Sequence, residues 1–199
     1  MNASTGSASG RVAIVHDWLD TWRGGENVLA EVLSLYPDAD LFALVDFLPD
    51  ALRARIGGRH ATTSFLQRVP GARRHFRALL PLFPRAISSL DVSSYDTIVS
   101  ISHAVAKGVR VRAGQRHCCY CLTPMRYAWD LRDDYFPQRS WHGRLRPIAN
   151  AVLNRLQKWD CKANGGVTEF AAISAFIAAR IGRHYQRTAQ VIYPPVDTD

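Results

Sequence analysis

The sequence predicts one doubly wound α/β domain, a parallel sheet covered by helices on both faces. Three observations carry this. Residues 11–16, 96–102 and 117–122 are short, largely apolar runs of the kind that forms strands buried on both sides. Between them lie segments with apolar residues at helical spacing, so strands alternate with helices, the order that builds parallel sheets. A chain of 199 residues that is 47% hydrophobic suits one domain with a full core.

The opening Met-Asn-Ala-Ser-Thr-Gly-Ser-Ala-Ser-Gly (1–10) is small and polar, without the basic start and apolar stretch of a secretory signal, and reads as a disordered leader. Residues 11–16 are the first strand. After the Arg23-Gly24-Gly25 turn, Val28, Leu29, Val32, Leu33 and Tyr36 recur at helical spacing, and Pro37 closes that helix. Leu41–Phe47 reads as the second strand, 49–57 as a short helix, and 57–71 as irregular or edge structure punctuated by Gly57-Gly58 and Pro70-Gly71. Pro81 and Pro84 break any long helix in the segment that follows. Asp96–Ser102 and His117–Leu122 are further strands, with Pro124 suited to the first position of the next helix. From Leu145, the positions Ile148, Ala149, Val152, Leu153, Leu156 and Trp159 form a helical stripe. Phe170–Ile173 is a short strand and Ser174 a helix N-cap, with Ile177, Ile181 and Tyr185 facing the core. Val191–Tyr193 is a last strand, stopped by Pro194-Pro195.

The four cysteines (Cys118, Cys119, Cys121, Cys161) include no C-x-x-C pair, and three share one strand whose side chains alternate between faces. Converging zinc ligands need a different spacing. Buried reduced thiols are expected, which point to the cytoplasm. No stretch of about eighteen apolar residues exists to span a bilayer. The net charge of +8 is concentrated: Asp50 and Asp91 bracket a region with no acidic residue and eight arginines (Arg53, Arg55, Arg59, Arg68, Arg73, Arg74, Arg77, Arg85). Arg73, Arg74, Phe76 and Arg77, with Leu79 and Phe83, suit the surface of an anionic membrane; a solvated basic face is the competing reading. No nucleic-acid motif accompanies the charge, and no nucleic-acid partner is expected.

The chemistry-bearing residues cluster at strand ends. Gly24-Gly25-Glu26 sits where a strand gives way to a helix. Paired glycines admit a ligand close to the backbone, and the helix start presents free N–H groups carrying roughly half a unit of positive charge. The pattern is neither G-x-G-x-x-G nor a Walker A loop, which argues against dehydrogenases and P-loop enzymes. An ordinary turn is the alternative. His16 and Asp17 end the first strand; a hydrogen-bonded structural role competes with ligand contact for His16. Ser102 and His103 end the strand at 96–102, and Lys107-Gly108 follows, marking a second helix start on the same crevice. Thr123, Arg126, Tyr127 and Asp130, with Trp129, crowd the end of the strand at 117–122. Arg126 offers a planar fork for phosphate or carboxylate, or pairs with Asp130 four residues on.

Four segments carry a resemblance. Val-Ala-Ile-Val-His-Asp-Trp-Leu (12–19) with Gly24-Gly25-Glu26, Tyr-Asp-Thr-Ile-Val-Ser-Ile-Ser-His (95–103), Tyr-Cys-Leu-Thr-Pro-Met-Arg-Tyr-Ala-Trp-Asp (120–130) and Val-Ile-Tyr-Pro-Pro-Val-Asp (191–197) occur in the order found in bacterial family 4 glycosyltransferases. The resemblance spans residue 11 to the end of the chain. It implies the N-terminal, acceptor-side half (11–199) of a GT-B architecture, ending near the hinge, with the C-terminal donor domain absent. The family's donor-domain glutamate pair has no counterpart among Glu26, Glu31 and Glu169. It implies transfer of a sugar from a nucleotide-sugar to a glycan or lipid-linked acceptor hydroxyl in polysaccharide biosynthesis. The expected mode is retention, with no essential metal and no cofactor beyond the nucleotide-sugar donor substrate. The glycine loop would lie near donor phosphates and acceptor, and His103 is the candidate catalytic group. Leu122 departs from the pattern: many members place a histidine there, and leucine cannot donate a hydrogen bond. Either His103 or another group substitutes, or the site does without. A non-catalytic acceptor-binding or membrane-docking module, or half of a two-chain transferase, remains the alternative.

Overall fold

The computed structural model describes residues 10–129 and 146–195. Nearly all of the expected leader, and Asp130, lie outside the described residues. Seven strands form one sheet, all pairs parallel, in the order β3-β2-β1-β4-β5-β6-β7. They are β1 Val12–His16, β2 Asp40–Ala43, β3 Thr62–Thr63, β4 Thr97–Ser102, β5 Arg116–Cys121, β6 Glu169–Ala172 and β7 Gln190–Val191. The chain builds outward from β1 in one direction, then crosses back to lay β4 on its other side. The doubly wound α/β expectation holds, and the strand order reverses between β1 and β4, where such sheets open a crevice.

Helices cover both faces. On one, α1 (Gly24–Leu35) packs Val28, Leu29 and Leu33 onto Ile14, Leu41 and Ile101. On the other, Ala13, Val15, Phe42 and Ile98 lie beneath Phe76, Phe83, Ile87, Leu153 and Leu156. The last two come from α6 (Arg146–Ala163). A third cluster joins Cys119, Cys121, Phe170 and Ala172 to Ile177, Ile181 and Tyr185 of α7 (Ala175–Tyr185). Ser174 caps α7 as expected, its hydroxyl accepting from Ile177 N–H. The shorter helices are α2 (Asp50–Arg53), α3 (Ala72–His75), α4 (Phe83–Ile87) and α5 (Arg126–Trp129).

Several expectations need correction. The second strand ends at Ala43 because the chain beyond it pairs with the loop after β1: Leu44 N–H donates to Asp17 O and Leu19 N–H to Val45 O. The last strand is Gln190–Val191, with Ile192 N–H adding one more ladder bond to Ala172 O. Pro124 precedes α5 instead of opening it, since the first turn closes on Met125 O. Ile148 of the α6 stripe is exposed. The prolines do divide the basic segment, which runs as α3, a 3-10 stretch at Phe76–Leu82, and α4. Its apolar ridge, however, is largely core. Phe76 is 1% exposed and edge-on to Trp18, and Phe83 is equally buried, so neither faces a membrane. Cys119 and Cys121 are buried, with burial pushing the Cys119 thiol up to about 12. Cys118 is only half-buried and Cys161 is exposed on α6, contrary to expectation. Among the described residues, no helix is long and apolar enough to cross a membrane.

Candidate functional site

A cleft of about 670 Å³ opens at the carboxyl ends of β1, β4 and β5. Gly24, Gly25 and Glu26 of α1, His103 after β4, and Thr123, Arg126 and Tyr127 after β5 line it. Segments up to a hundred residues apart in sequence thus meet at the place where the sheet order reverses.

Asp17 anchors the floor. It is wholly buried, and its carboxylate accepts four backbone N–H groups: His103 (2.6 Å) and Ala104 (2.9 Å) on Oδ2, Val105 (2.6 Å) and Ala106 (2.7 Å) on Oδ1. Its Oδ2 also lies 3.0 Å from His103 Nδ1. Burial opposes its ionisation, but the charge and hydrogen bonds of His103 hold it well below the usual carboxylate range. The expected ligand role for Asp17 is therefore corrected. Both its oxygens are spent on the β4 loop, and it shapes the cleft from beneath.

His103 is the group that Asp17 aims. With Nδ1 on Asp17 and the Trp18 ring edge-on at 4.4 Å, the imidazole is fixed, and its side chain remains 23% exposed to the cleft. Burial opposes the imidazolium, but Asp17 and the more distant Glu26 outweigh it and raise the His103 pKa. His16 is fully buried instead of lining the cleft; its Nε2 lies 3.5 Å from Glu26 Oε1, and its Nδ1 has no hydrogen-bond partner among the described residues. The structural alternative describes His16 better than ligand contact does.

Glu26 occupies the third helical position of α1 and accepts Arg23 N–H at 2.8 Å, one half of a capping box. Arg23 cannot supply the other half because a guanidinium accepts nothing. Burial opposes the Glu26 carboxylate, yet His16 and that N–H hold its pKa below the ordinary value. Gly25 lies against Leu122: a β-carbon there would stand 3.0 Å from Leu122 Cδ1, whereas one on Gly24 would meet nothing within 4 Å. Leu122 fills its position as an apolar plug against the glycine loop.

Ser102 and Lys107 do not reach the cleft. Ser102 is buried within β4. Lys107 is buried and ion-paired with Asp160 of α6, whose other oxygen accepts Trp129 Nε1–H and Tyr185 O–H, both at 2.8 Å. Burial opposes the Lys107 ammonium, but Asp160 raises its pKa above normal. Neighbouring Gly108 is pressed against Trp159, whose ring would overlap a β-carbon there. That corner clamps α5, α6 and α7 together and presents no helix start to a ligand.

Sequence reasoning missed two cations of the cleft. Arg180 of α7 is buried at the rim, donating from Nη1 to Thr123 Oγ1 at 2.7 Å. A signal was present, because Ile177, Arg180 and Ile181 share one helical face, and a guanidinium among core residues needs a reason. Arg77 was read as a membrane contact, but it folds back to Asp20 at 2.6 Å and lies 4.6 Å over the Phe76 ring at the cleft wall. Arg73 and Arg74 stay exposed on the surface. Among the described residues, Arg23, Arg77, Arg126 and Arg180 thus face two acidic residues, Asp20 and Glu26. Counting these side chains, four positive less two negative leaves two positive charges, and Leu80, Phe83, Phe176 and Ile177 supply apolar wall. The arrangement suits an anionic group joined to an apolar or sugar-like body.

No protein-family model matches the chain, and no curated protein matches it. A solved structure described as the apo form of the lipopolysaccharide outer core galactosyltransferase WaaB is similar in shape, with 13% identity and a TM-score of 0.49. The match covers 95% of this chain and 47% of the other, so the chain spans about half the length of that structure. A likeness at this level carries no functional argument.

Proposed function

We propose that the chain is the acceptor-side half of a glycosyltransferase, which in a complete enzyme transfers a sugar from a nucleotide-sugar to a glycan or lipid-linked acceptor hydroxyl. One observation carries the reading. Three of the segments that resemble family 4 glycosyltransferases, at 12–26, 95–103 and 120–130, converge on a single arginine-lined cleft at the switch point of the sheet. Motifs unrelated in function have no reason to meet at one ligand-sized cavity.

In this reading the open face of Gly24 and the start of α1 approach a diphosphate, with Arg23, Arg126 and Arg180 offsetting its charge. Trp18, Leu80, Phe83 and Tyr127 form the wall along which acceptor lies. A second domain contributes the remaining donor contacts, and transfer proceeds with retention and without an essential metal, as the resemblance implies. The basic surface around Arg73 and Arg74 holds the enzyme peripherally on the inner face of an anionic membrane.

The test is release of nucleoside diphosphate from a panel of nucleotide-sugars by the full-length protein, with and without isoprenoid-linked or glycan acceptors. Acceptor-dependent release supports transfer. Acceptor binding with no release from any donor favours a non-catalytic binding module.

A further inference from the structure

The Asp17–His103 pair does something the transferase reading does not require. A carboxylate that already accepts four backbone N–H groups also takes His103 Nδ1, and Trp18 fixes the ring from its edge. The tautomer is thereby set with a proton on Nδ1, and a second proton is needed before Nε2 can donate. With Nδ1 turned to the buried Asp17, Nε2 is the ring nitrogen left for the cleft, which Arg126 also lines. An imidazole held this way with a carboxylate behind it becomes a cationic donor when an anion sits in front.

We propose that His103 is the proton-carrying donor of a phosphate subsite: its Nε2–H, aimed into the cleft alongside Arg126, holds a phosphoryl oxygen, and the ligand binds together with one proton. Among the described residues, Asp17 and His16 approach the ring from the end of β1, Arg23 and Glu26 from the start of α1, Asp20 and Arg77 from the wall beside Trp18, Arg126 from α5 and Arg180 from α7. Of these, His16 is the other imidazole, and it is buried behind Glu26. The rise in the His103 pKa caused by Asp17 agrees with the geometry.

The biological identity of the ligand rests on the transferase reading, because a phosphoryl group arrives there either on the nucleotide of the donor or on the acceptor. The test does not rest on it. Sulfate mimics a phosphoryl dianion and does not titrate between pH 5 and 9, so any pH dependence of its binding belongs to the protein. With the 199-residue chain, the His103 Cε1–H resonance, assigned by its loss in His103→Gln, should titrate at higher pH when sulfate is present. Sulfate affinity should fall about tenfold per pH unit above the midpoint measured without sulfate, while His103→Gln shows no slope. A His103 midpoint unmoved by saturating sulfate, or equal pH-independent binding in both proteins, overturns the proposal. Where the variant folds poorly, assignment through the wild-type backbone correlations lets the His103 resonance decide the matter.

Uridine diphosphate and farnesyl diphosphate then separate the two sources. The ligand whose affinity loses its pH slope in His103→Gln, relative to wild type, identifies donor or acceptor as the occupant. A slope unchanged for both overturns the proposal. Proton-linked sulfate binding without sugar transfer by the full-length protein would remove the transferase reading and leave this one standing. Transfer without the linkage would do the reverse.

Discussion

Leu122 Cδ1 stands 3.0 Å from the point where a β-carbon on Gly25 would lie, while Gly24 beside it opens on empty space. The two glycines of one turn therefore have separate duties. Gly25 permits close packing of α1 on the strand end, and Gly24 leaves the cleft mouth clear. Gly25→Ala makes the Leu122 tip give way by a few tenths of an ångström and should cost up to about 1 kcal/mol of stability. Gly24→Val, with no neighbour to strike, should leave the melting temperature nearly unchanged while weakening uridine diphosphate binding at least about tenfold. Paired melting and titration experiments check both. A stable Gly25→Ala protein, or undiminished binding by Gly24→Val, contradicts this division.

Asp17→Ala should be among the most damaging single changes in the chain. It strands four N–H groups of residues 103–106 and the Nδ1 of His103 together, and a loss of about 3–5 kcal/mol is expected in urea denaturation. The pH dependence has two limits. The depressed Asp17 pKa contributes stability above about pH 4 that is lost as pH falls through its folded value. The raised His103 pKa contributes stability fully present below about pH 6.5 and lost as pH rises through its folded value. The wild-type advantage over Asp17→Asn should therefore be greatest between those limits and shrink on either side.

The sheet was legible because β1, β4 and β5 are short runs suited to buried strands, and strands alternating with helices along the chain imply a parallel sheet. The cleft was legible where a strand end delivers polar side chains, as with His103, Thr123 and Arg126. It was not legible where the decisive fact is which way a side chain turns. Asp17 and Lys107 sit at strand or loop ends like His103, yet each is drawn inward by a partner distant in sequence, the 103–106 backbone and Asp160. Phe76 reads as an exposed ridge between arginines because a 3-10 stretch does not keep the helical period. Arg180 was hidden inside an apolar helical face, and its bond to the Thr123 hydroxyl appears only once β5 and α7 are brought together.

His117 makes acid stability a local test of the core. Burial lowers its pKa to about 4, opposed only in part by the Gly166 carbonyl, and Ser100 Oγ lies 2.8 Å from its Nε2. The unfolded chain binds this proton near pH 6.5, so stability should fall as pH drops from about 6.5 to 4, by up to about 3 kcal/mol from this group. Denaturation curves at stepped pH measure the fall. A His117 resonance that titrates near pH 6.5 in the folded protein contradicts the prediction.

Arg73 and Arg74 are neighbouring exposed cations of the basic segment, as are Arg55, Arg68 and Arg85, whereas Arg77 is engaged with Asp20. Replacing both by Gln should weaken binding to anionic vesicles by up to about 2 kcal/mol, roughly thirtyfold, at about 1 kcal/mol per arginine near the surface. Because Phe76 and Phe83 are buried, little salt-resistant binding should remain, and high salt should release the wild type too. Co-sedimentation with anionic and neutral vesicles at two salt concentrations checks this. Equal pelleting of wild type and the double variant would leave the arginines as a solvated face.

The most direct test of the central claim is the turnover of a nucleotide-sugar by the full-length protein when Arg126, an exposed cation on the cleft wall, becomes Ala. If the cleft binds and stabilises a phosphoryl group during sugar transfer, Arg126→Ala should lower kcat/KM by about tenfold to a hundredfold, equivalent to about 1.4–2.8 kcal/mol, with an unchanged melting temperature. Transfer that proceeds at the wild-type rate in Arg126→Ala would place the chemistry outside this cleft and contradict the account.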